Sequence, residues 1–314
     1  MMSCDHSIRI GIAAYPCAQR AAVLGLKDLL EAASRFHHAE AAEPRSFQVE
    51  LIDGFSTNKF DTLDTVILPP CLGPRPEGED LSEIARWVAW QHSHGALVCS
   101  ICAGAFPLAA SGLLNGRSAT THWALAKEFA DAFPEVQLEA SRLIIDDGDV
   151  ITAGGLMAWT DLGLRLVVRF MGPAVMLETA RFFLIDPGER EQSYYNLFSP
   201  NLTHGDARVL KAQHWLQANY QSAVTVPQMA AAAGQEERTF LRRFHAATGL
   251  NPSEYLQRLR IAKAREQLEL TNASIESIAL DVGYLDVSAF RKLFQKIVGL
   301  SPSEYRRRFA PAGS

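Results

Sequence analysis

The chain has 314 residues, which at roughly 100–200 residues per domain suggests two domains or one large one. Hydrophobic residues make up 48% of it, enough to bury a full core, and this excludes a disordered chain. Lys and Arg number 30 against 35 Asp and Glu, and the net charge of −5, read as one number, argues against a nucleic-acid-binding protein.

Residues Met1 to Arg9, with Asp5 among them, carry no cationic-then-apolar leader pattern. No apolar run reaches the ~18 residues of a membrane span. The cysteines are Cys4, Cys17, Cys71, Cys99 and Cys102, an odd set with no regular spacing. That pattern is neither a disulfide framework nor a zinc motif. A reduced, cytoplasmic protein with no metal, no cofactor and no membrane partner is expected. Ile8–Ala14, Phe47–Ile52, Thr65–Leu68, Ala96–Ile101 and Arg142–Ile145 with Val150–Thr152 read as strands. Arg20–Ser34, Leu81–His92, Ala103–Ser111 and Gly155–Phe170 have helical spacing. Strands alternating with helices imply a largely parallel sheet covered on both faces.

Residues 186–204 lack periodicity and contain two prolines and a glycine, the texture of a linker. Domains are therefore expected at 1–185 and 205–314. The second is helical throughout and repeats itself: GLNPSEYLQRLR from Gly249 returns as GLSPSEYRRRFA from Gly299, fifty residues on. Phe240, Phe244, Pro252 and Tyr255 match Phe290, Phe294, Pro302 and Tyr305, and Val226–Gly234 matches Ile275–Gly283 with one residue inserted in the second turn. Each unit has the short Gly-containing turn of a helix-turn-helix. Two copies suit a paired module rather than a solenoid. Residues 205–314 hold 15 Lys and Arg against 10 Asp and Glu, a net of +5, which leaves −10 on residues 1–204. A basic helical module on an acidic domain is the electrostatic footprint of a DNA-binding region.

Over 206–309 the residues resemble the AraC-type DNA-binding domain, most strongly in Ser274-Ile275-x-x-Ile278-Ala279, Val282-Gly283-Tyr284, Ser288-x-Phe290, Phe294, Gly299, Ser301-Pro302 and Tyr305-Arg306. In each repeat a second helix, about Glu236–Ala247 and Asp286–Ile297, would enter the major groove. The phenylalanines face the core. Arg238, Leu241 and Arg242 in the first helix, and Val287, Ser288, Arg291 and Lys292 in the second, are then free to meet DNA. The resemblance points to the same positions. A long helix around Tyr255–Leu270 would hold the two apart by about one DNA turn, roughly 34 Å. Gln235-Glu236-Glu237 opens the first reading helix with acids, so the first repeat is expected to read bases less strongly than the second.

In the N-terminal half, an apolar strand ends at Ile101, and Cys102, Ala103 and Gly104 lead into a helix. A strand, a sharp turn bearing a nucleophile and a helix make a nucleophile elbow. Helix N-termini lower thiol pKa, and open α/β sheets bind ligands at this edge. The stretch resembles the PfpI-like, class I glutamine amidotransferase-like family, in the subset fused to AraC-type domains. The matching residues are Cys102-x-Gly104-Ala105-Phe106, Ala109, Gly112-Leu113-Leu114, Gly116-Arg117, Ala119 to Trp123, Ala153-Gly154 and Asp161-Leu162. The resemblance implies an α/β flavodoxin-like sandwich and a metabolite pocket of Cys102, Ala103, Asp28, His122 and Gly154. Asp28 stands in for the family's glutamate on the first helix.

Catalysis is not expected. A thiol nucleophile needs a base and a group to orient it, and any such machinery would have to be Cys102, His122 and Asp28. Ala103 follows the cysteine, and Pro69-Pro70-Cys71 lacks the Gly pair that often forms an oxyanion hole. His122 reads equally as a helix-start residue behind Thr120-Thr121. Asp161 reads as structural, Trp123 and Trp159 as core, and Cys4, Cys17 and Cys71 carry no assigned role. The sequence therefore reads as a sequence-specific transcription regulator, an activator by expectation. Its expected partners are double-stranded promoter or operator DNA, a small-molecule effector, RNA polymerase and a second copy of the chain in a homodimer. The alternative is a cysteine-dependent hydrolase or amidase of the PfpI-like family that also binds DNA. A redox sensor at Cys102 ranks below both, because Cys99 should face elsewhere on the strand.

Overall fold

The computed structural model describes residues 6–36, 45–55, 61–187, 191–195, 198 and 200–310; Cys4 and Asp5 lie outside them. In chain order the N-terminal half forms β1 (His6–Ala13), α1 (Arg20–Arg35), β2 (Arg45–Ile52), β3 (Thr65–Leu68), α2 (Gly78–Ser93), β4 (Leu97–Ile101) and α3 (Ala105–Ala110). Then come β5 (Ser118–Ala119), α4 (Ala126–Ala132), β6 (Gln137–Leu138), β7 (Ile144–Asp146), β8 (Val150–Ala153), α5 (Trp159–Met171) and α6 (Pro173–Phe182). Every residue of β3, β4 and β8 is buried, as expected of strands covered on both faces. The sheet order is β2-β1-β3-β4-β8-β7, parallel except for the β7–β8 pair.

Alternate strand residues feed two cores, because successive side chains point to opposite faces. Ile8, Ile10, Ile12, Cys99 and Ile101 pack with Leu26, Leu29 and Leu30 of α1 and with Leu162 and Leu166 of α5. Val66, Leu68 and Val98 pack with Trp87 of α2 and with Phe106 and Leu108 of α3. The expected strands and helices are all present. Pattern reading missed the two-residue ribbon β5–β6 and the helices α4 and α6.

The chain divides into two compact units, Met1–Gln192 and Ser193–Ser314. The division falls inside the stretch expected as a linker: Gln192 is 2% exposed within the first unit. The odd, irregular cysteine set also proves misleading. Cys17 and Cys71 form a disulfide with 5.0 Å between Cα atoms. The backbone brings them together, since Leu72 N–H donates to the Cys17 carbonyl and Gln19 N–H to that of Pro70. A pairing across 54 residues leaves no mark on local spacing.

The second unit contains α7 (Ala207–Asn219), α8 (Val226–Ala233), α9 (Glu237–Thr248), α10 (Pro252–Leu270), α11 (Ile275–Asp281), α12 (Val287–Val298) and α13 (Pro302–Phe309). It has two cores joined by one helix. Tyr255, Leu256 and Leu259 of α10 pack with Phe240 and Phe244 of α9. Ile261, Ala264 and Leu268 of the same helix pack with Phe290 and Phe294 of α12. Phe294 is fully buried and Lys292, two residues away and so on the opposite face, is exposed. Phe294→Ala should cost about 3–5 kcal/mol, whereas Lys292→Ala should stay within about 0.5 kcal/mol of wild type. Chemical denaturation of the full chain measures both, and equal costs would overturn the assignment of faces.

Candidate functional site

Two surfaces carry the chemistry expected from the sequence, one in each unit. In the second unit, α8 and α9 form the first helix-turn-helix and α11 and α12 the second. Gly234 ends α8 in the left-handed region with φ 64°, which Gly adopts at no steric cost. The fifty-residue offset pairs Arg238 with Ser288, Leu241 with Arg291 and Arg242 with Lys292. All six side chains are exposed, opposite the fully buried phenylalanines.

Not every candidate fits equally. Val287 is half-buried and packs on the second core, while Leu285 beside it stands 94% exposed. Val287 therefore leaves only part of its surface free to meet a base. Arg291 pairs with Glu276 of α11 at 2.7 Å yet remains on the surface. Other cations are committed within the fold. Arg243 meets Asp206, the cap of α7, at 2.8 Å. This partner holds the Asp206 carboxyl below its usual range. Arg306 donates to the Ala273 carbonyl. The two reading helices also start differently: Asp286 caps α12 by accepting from Ser288 and Ala289 N–H, but Glu236 makes no side-chain cap on α9.

In the first unit β4 ends at Ile101, and Cys102 takes φ +55°, rare for a residue with a side chain. The turn is closed by Gly104, where a Cβ would stand 2.2 Å from the Leu68 carbonyl oxygen. The elbow expected from the sequence is thus present, but its thiol is buried, at 4% exposure. Burial pushes the Cys102 thiol up to about 11, offset in part by the Ala103 N–H and the charge of Arg75. Thr121 Oγ donates to the Cys102 carbonyl at 2.7 Å.

The residues expected around Cys102 do not all gather there. Ala103 is in the turn itself and is buried. Asp28 is exposed on α1. At about 100° per residue it points away from Leu26 and Leu30, which are inward positions. That corrects its placement in the pocket. His122 is half-buried, and desolvation lowers its pKa. Its Nδ1 accepts from Ala124 N–H at 3.1 Å, so His122 itself caps the short turn that Thr120-Thr121 seemed to cap. Thr120 and Thr121 are fully buried instead. Gly154 is not open to a ligand here, because the Gln192 side chain lies over it.

A cavity of about 610 Å³ opens at the carboxyl edge of β1, β2 and β3, lined by Tyr15, Cys17, Phe55, Arg75 and Ile84 among others. Cys102 does not line it; the cavity reaches the elbow through Tyr15, whose hydroxyl donates to the Pro69 carbonyl that lies against Gly104. Sequence reasoning missed these residues; Tyr15, Cys17 and Phe55 follow strand ends, the one signal available, and Ile84 lies within α2. No group of three or more His, Cys, Asp or Glu among the described residues could hold a metal ion. No helix among them is long and apolar enough to cross a membrane.

A flavodoxin-like domain joined to paired helix-turn-helix units defines a one-chain DNA-binding regulator. Residues 47–169 match the DJ-1/PfpI family and residues 229–308 match a helix-turn-helix domain. The HTH-type transcriptional regulator ArgR of Pseudomonas aeruginosa is 28% identical over 316 residues, covering 96% of this chain and 93% of that protein. GbdR of the same organism is 25% identical over 252 residues, covering 80% and 68%. GlxA of Rhizobium meliloti is 26% identical over 219 residues, covering 68% and 66%. The chain is thus similar over most of its length to HTH-type transcriptional regulators, with a DJ-1/PfpI match in its N-terminal half and a helix-turn-helix match in its C-terminal half.

A thiol with a pKa near 11 is almost wholly protonated at pH 7. Iodoacetamide should therefore label Cys102 about 100-fold more slowly than an ordinary exposed thiol, and the rate should climb with pH up to about 11. Peptide mass spectrometry of the intact chain reads this directly. Labelling at the ordinary rate at pH 7 would show an accessible thiolate and restore the nucleophile reading.

Proposed function

We propose that this chain regulates transcription by binding promoter DNA through α9 and α12, under the control of a small molecule held beside Cys102. The observation that carries the DNA reading is the equivalence of the two exposed faces, each set opposite a buried Phe pair on a matching helix. Arg and Lys at these positions suit guanine edges or phosphate, and Ser288 can serve either base type. A chain with one such arm gains from pairing, because the second contact becomes intramolecular. A homodimer is proposed on that ground. Contact with RNA polymerase, and activation as its consequence, extend the same reading.

The effector is placed in the cavity beside the elbow. Asp53, Glu77, Asp80 and Glu83 on its wall outnumber Arg75, and Tyr15 and Phe55 add aromatic surface. That balance favours a ligand with a cationic group. Cys102 is then a packing and positioning residue. Its protonated thiol, exposed Asp28 and a His122 engaged in capping all support a binding domain over a hydrolase.

Lys292→Ala should weaken binding to a selected operator duplex by about 1–3 kcal/mol, or roughly 5–150-fold. Arg242→Ala should lose less, because uncapped α9 begins with Glu236 and Glu237 near the phosphates. Fluorescence anisotropy measures both; equal losses would remove the asymmetry, and no loss in either would remove the DNA face. Affinity should also fall steeply with salt.

A metabolite screen by thermal shift on the full chain tests the sensor. A true effector at 100 times its dissociation constant should add about 2.7 kcal/mol of stability, and Cys102→Ser should keep that response. Consumption of the molecule, lost in Cys102→Ser, would establish the hydrolase instead.

A further inference from the structure

Gln192 is the last residue of the first unit, and its side chain is seated in a site built for a carboxamide. Nε2 donates to Thr120 Oγ at 3.1 Å, to the Thr121 carbonyl at 2.8 Å and to the Arg142 carbonyl at 2.9 Å. Oε1 accepts from Trp123 N–H at 3.2 Å. Both ends of the amide are thus satisfied in a place almost without solvent, where an unmade hydrogen bond costs most. The site requires Gly154: a Cβ there would stand 1.8 Å from Gln192 Nε2. The Gln192 N–H donates to the Ser141 carbonyl, which fixes the backbone as well.

The same knot reaches the elbow. Thr121, whose carbonyl receives the Gln192 amide, gives its hydroxyl to the Cys102 carbonyl. Two residues further along the chain, Tyr194 is anchored inside the second unit. Its carbonyl accepts from Arg265 Nη2 of α10 at 2.8 Å. Its ring lies against Gly299, the cap of α12, and under the Arg308 guanidinium. Ser193 alone separates the two anchors along the chain.

We infer that the Gln192 carboxamide is a latch, an internal ligand of the Thr120–Thr121–Gly154 notch whose seating or release carries the state of the Cys102 elbow to the DNA-binding unit. A change at the elbow acts through Thr121 on Gln192, and Gln192 through Ser193 on Tyr194 and so on α10 and the end of α12. This rests on the regulator reading above and names how its effector site is coupled. A coupling between sites appears as non-additivity.

The test is a double-mutant cycle on the full chain. The probe is a duplex that the wild-type chain selects from a random-sequence pool, with binding read by anisotropy. Gln192→Ala should shift the dissociation constant by at least about fivefold, the low end of allosteric coupling. Thr121→Val, which deletes the hydroxyl on Cys102, should do the same in the presence of Gln192. In the Gln192→Ala background Thr121→Val should shift it less than about twofold. Gln192→Glu keeps the volume but loses the donors, and should behave as Gln192→Ala. If Thr121→Val does not fold, Gly154→Ala closes the notch from the other side and should be non-additive with Gln192→Ala. Additive effects, or wild-type binding by Gln192→Glu, would overturn the latch alone. A wild-type chain that selects no duplex would overturn the regulator reading and the latch with it.

Discussion

The turn at Ile101–Gly104 closes because nothing stands on the Cα of Gly104. Any side chain there would strike the carbonyl of Leu68 at the end of the neighbouring strand. Held this close, the chain forces Cys102 to φ +55°, a conformation that costs an L-residue on the order of 1–3 kcal/mol. The surroundings sustain it: the Cys102 carbonyl accepts the Thr121 hydroxyl, and the thiol lies beside the Ala103 N–H. Thr121 is in turn fixed, and so are its carbonyl and the Gln192 amide that uses it. One missing Cβ therefore sets the geometry of a polar network that ends at the boundary between the two units.

A second constraint organises the DNA-binding unit. α10 lends its first half to one hydrophobic core and its second half to the other. Its 19 residues span about 28 Å at 1.5 Å per residue, close to the roughly 34 Å that separates successive major-groove faces. The net +5 of this region is a coarse guide to what meets DNA. Arg243, Arg260 and Arg306 are held by Asp206, by the Tyr220 and Ser222 carbonyls, and by the Ala273 carbonyl. These cations define the shape of the unit. Arg238, Arg242 and Lys292 stay exposed and supply the field.

What the sequence revealed follows from the range of each signal. The strands β3, β4 and β8 were legible because burial on both faces writes unbroken apolar runs. The paired helix-turn-helix was legible because a fifty-residue repeat preserves Phe240 and Phe244 as Phe290 and Phe294. Asp28 misled because a positional match to a family ignores which way the helix turns, and Leu26, Leu29 and Leu30 already define the inward face. The Cys17–Cys71 bond and the seat of Gln192 were out of reach: each joins segments dozens of residues apart, and neither has a local period. Gln192 also lay in a stretch whose composition reads as connection, although its side chain is among the best satisfied in the fold.

The contrast between the elbow's shape and its chemistry supports the proposed sensor over an enzyme. Elbows expose a nucleophile to substrate, and a useful thiol must reach the thiolate at working pH. Here burial drives the thiol the other way, and the acid expected to assist stands in solvent. What burial takes from reactivity it gives to definition. A polar network with every member satisfied in one arrangement loses several hydrogen bonds together when one element moves. A ligand that binds better to one arrangement of such a network than to another would shift the balance between them.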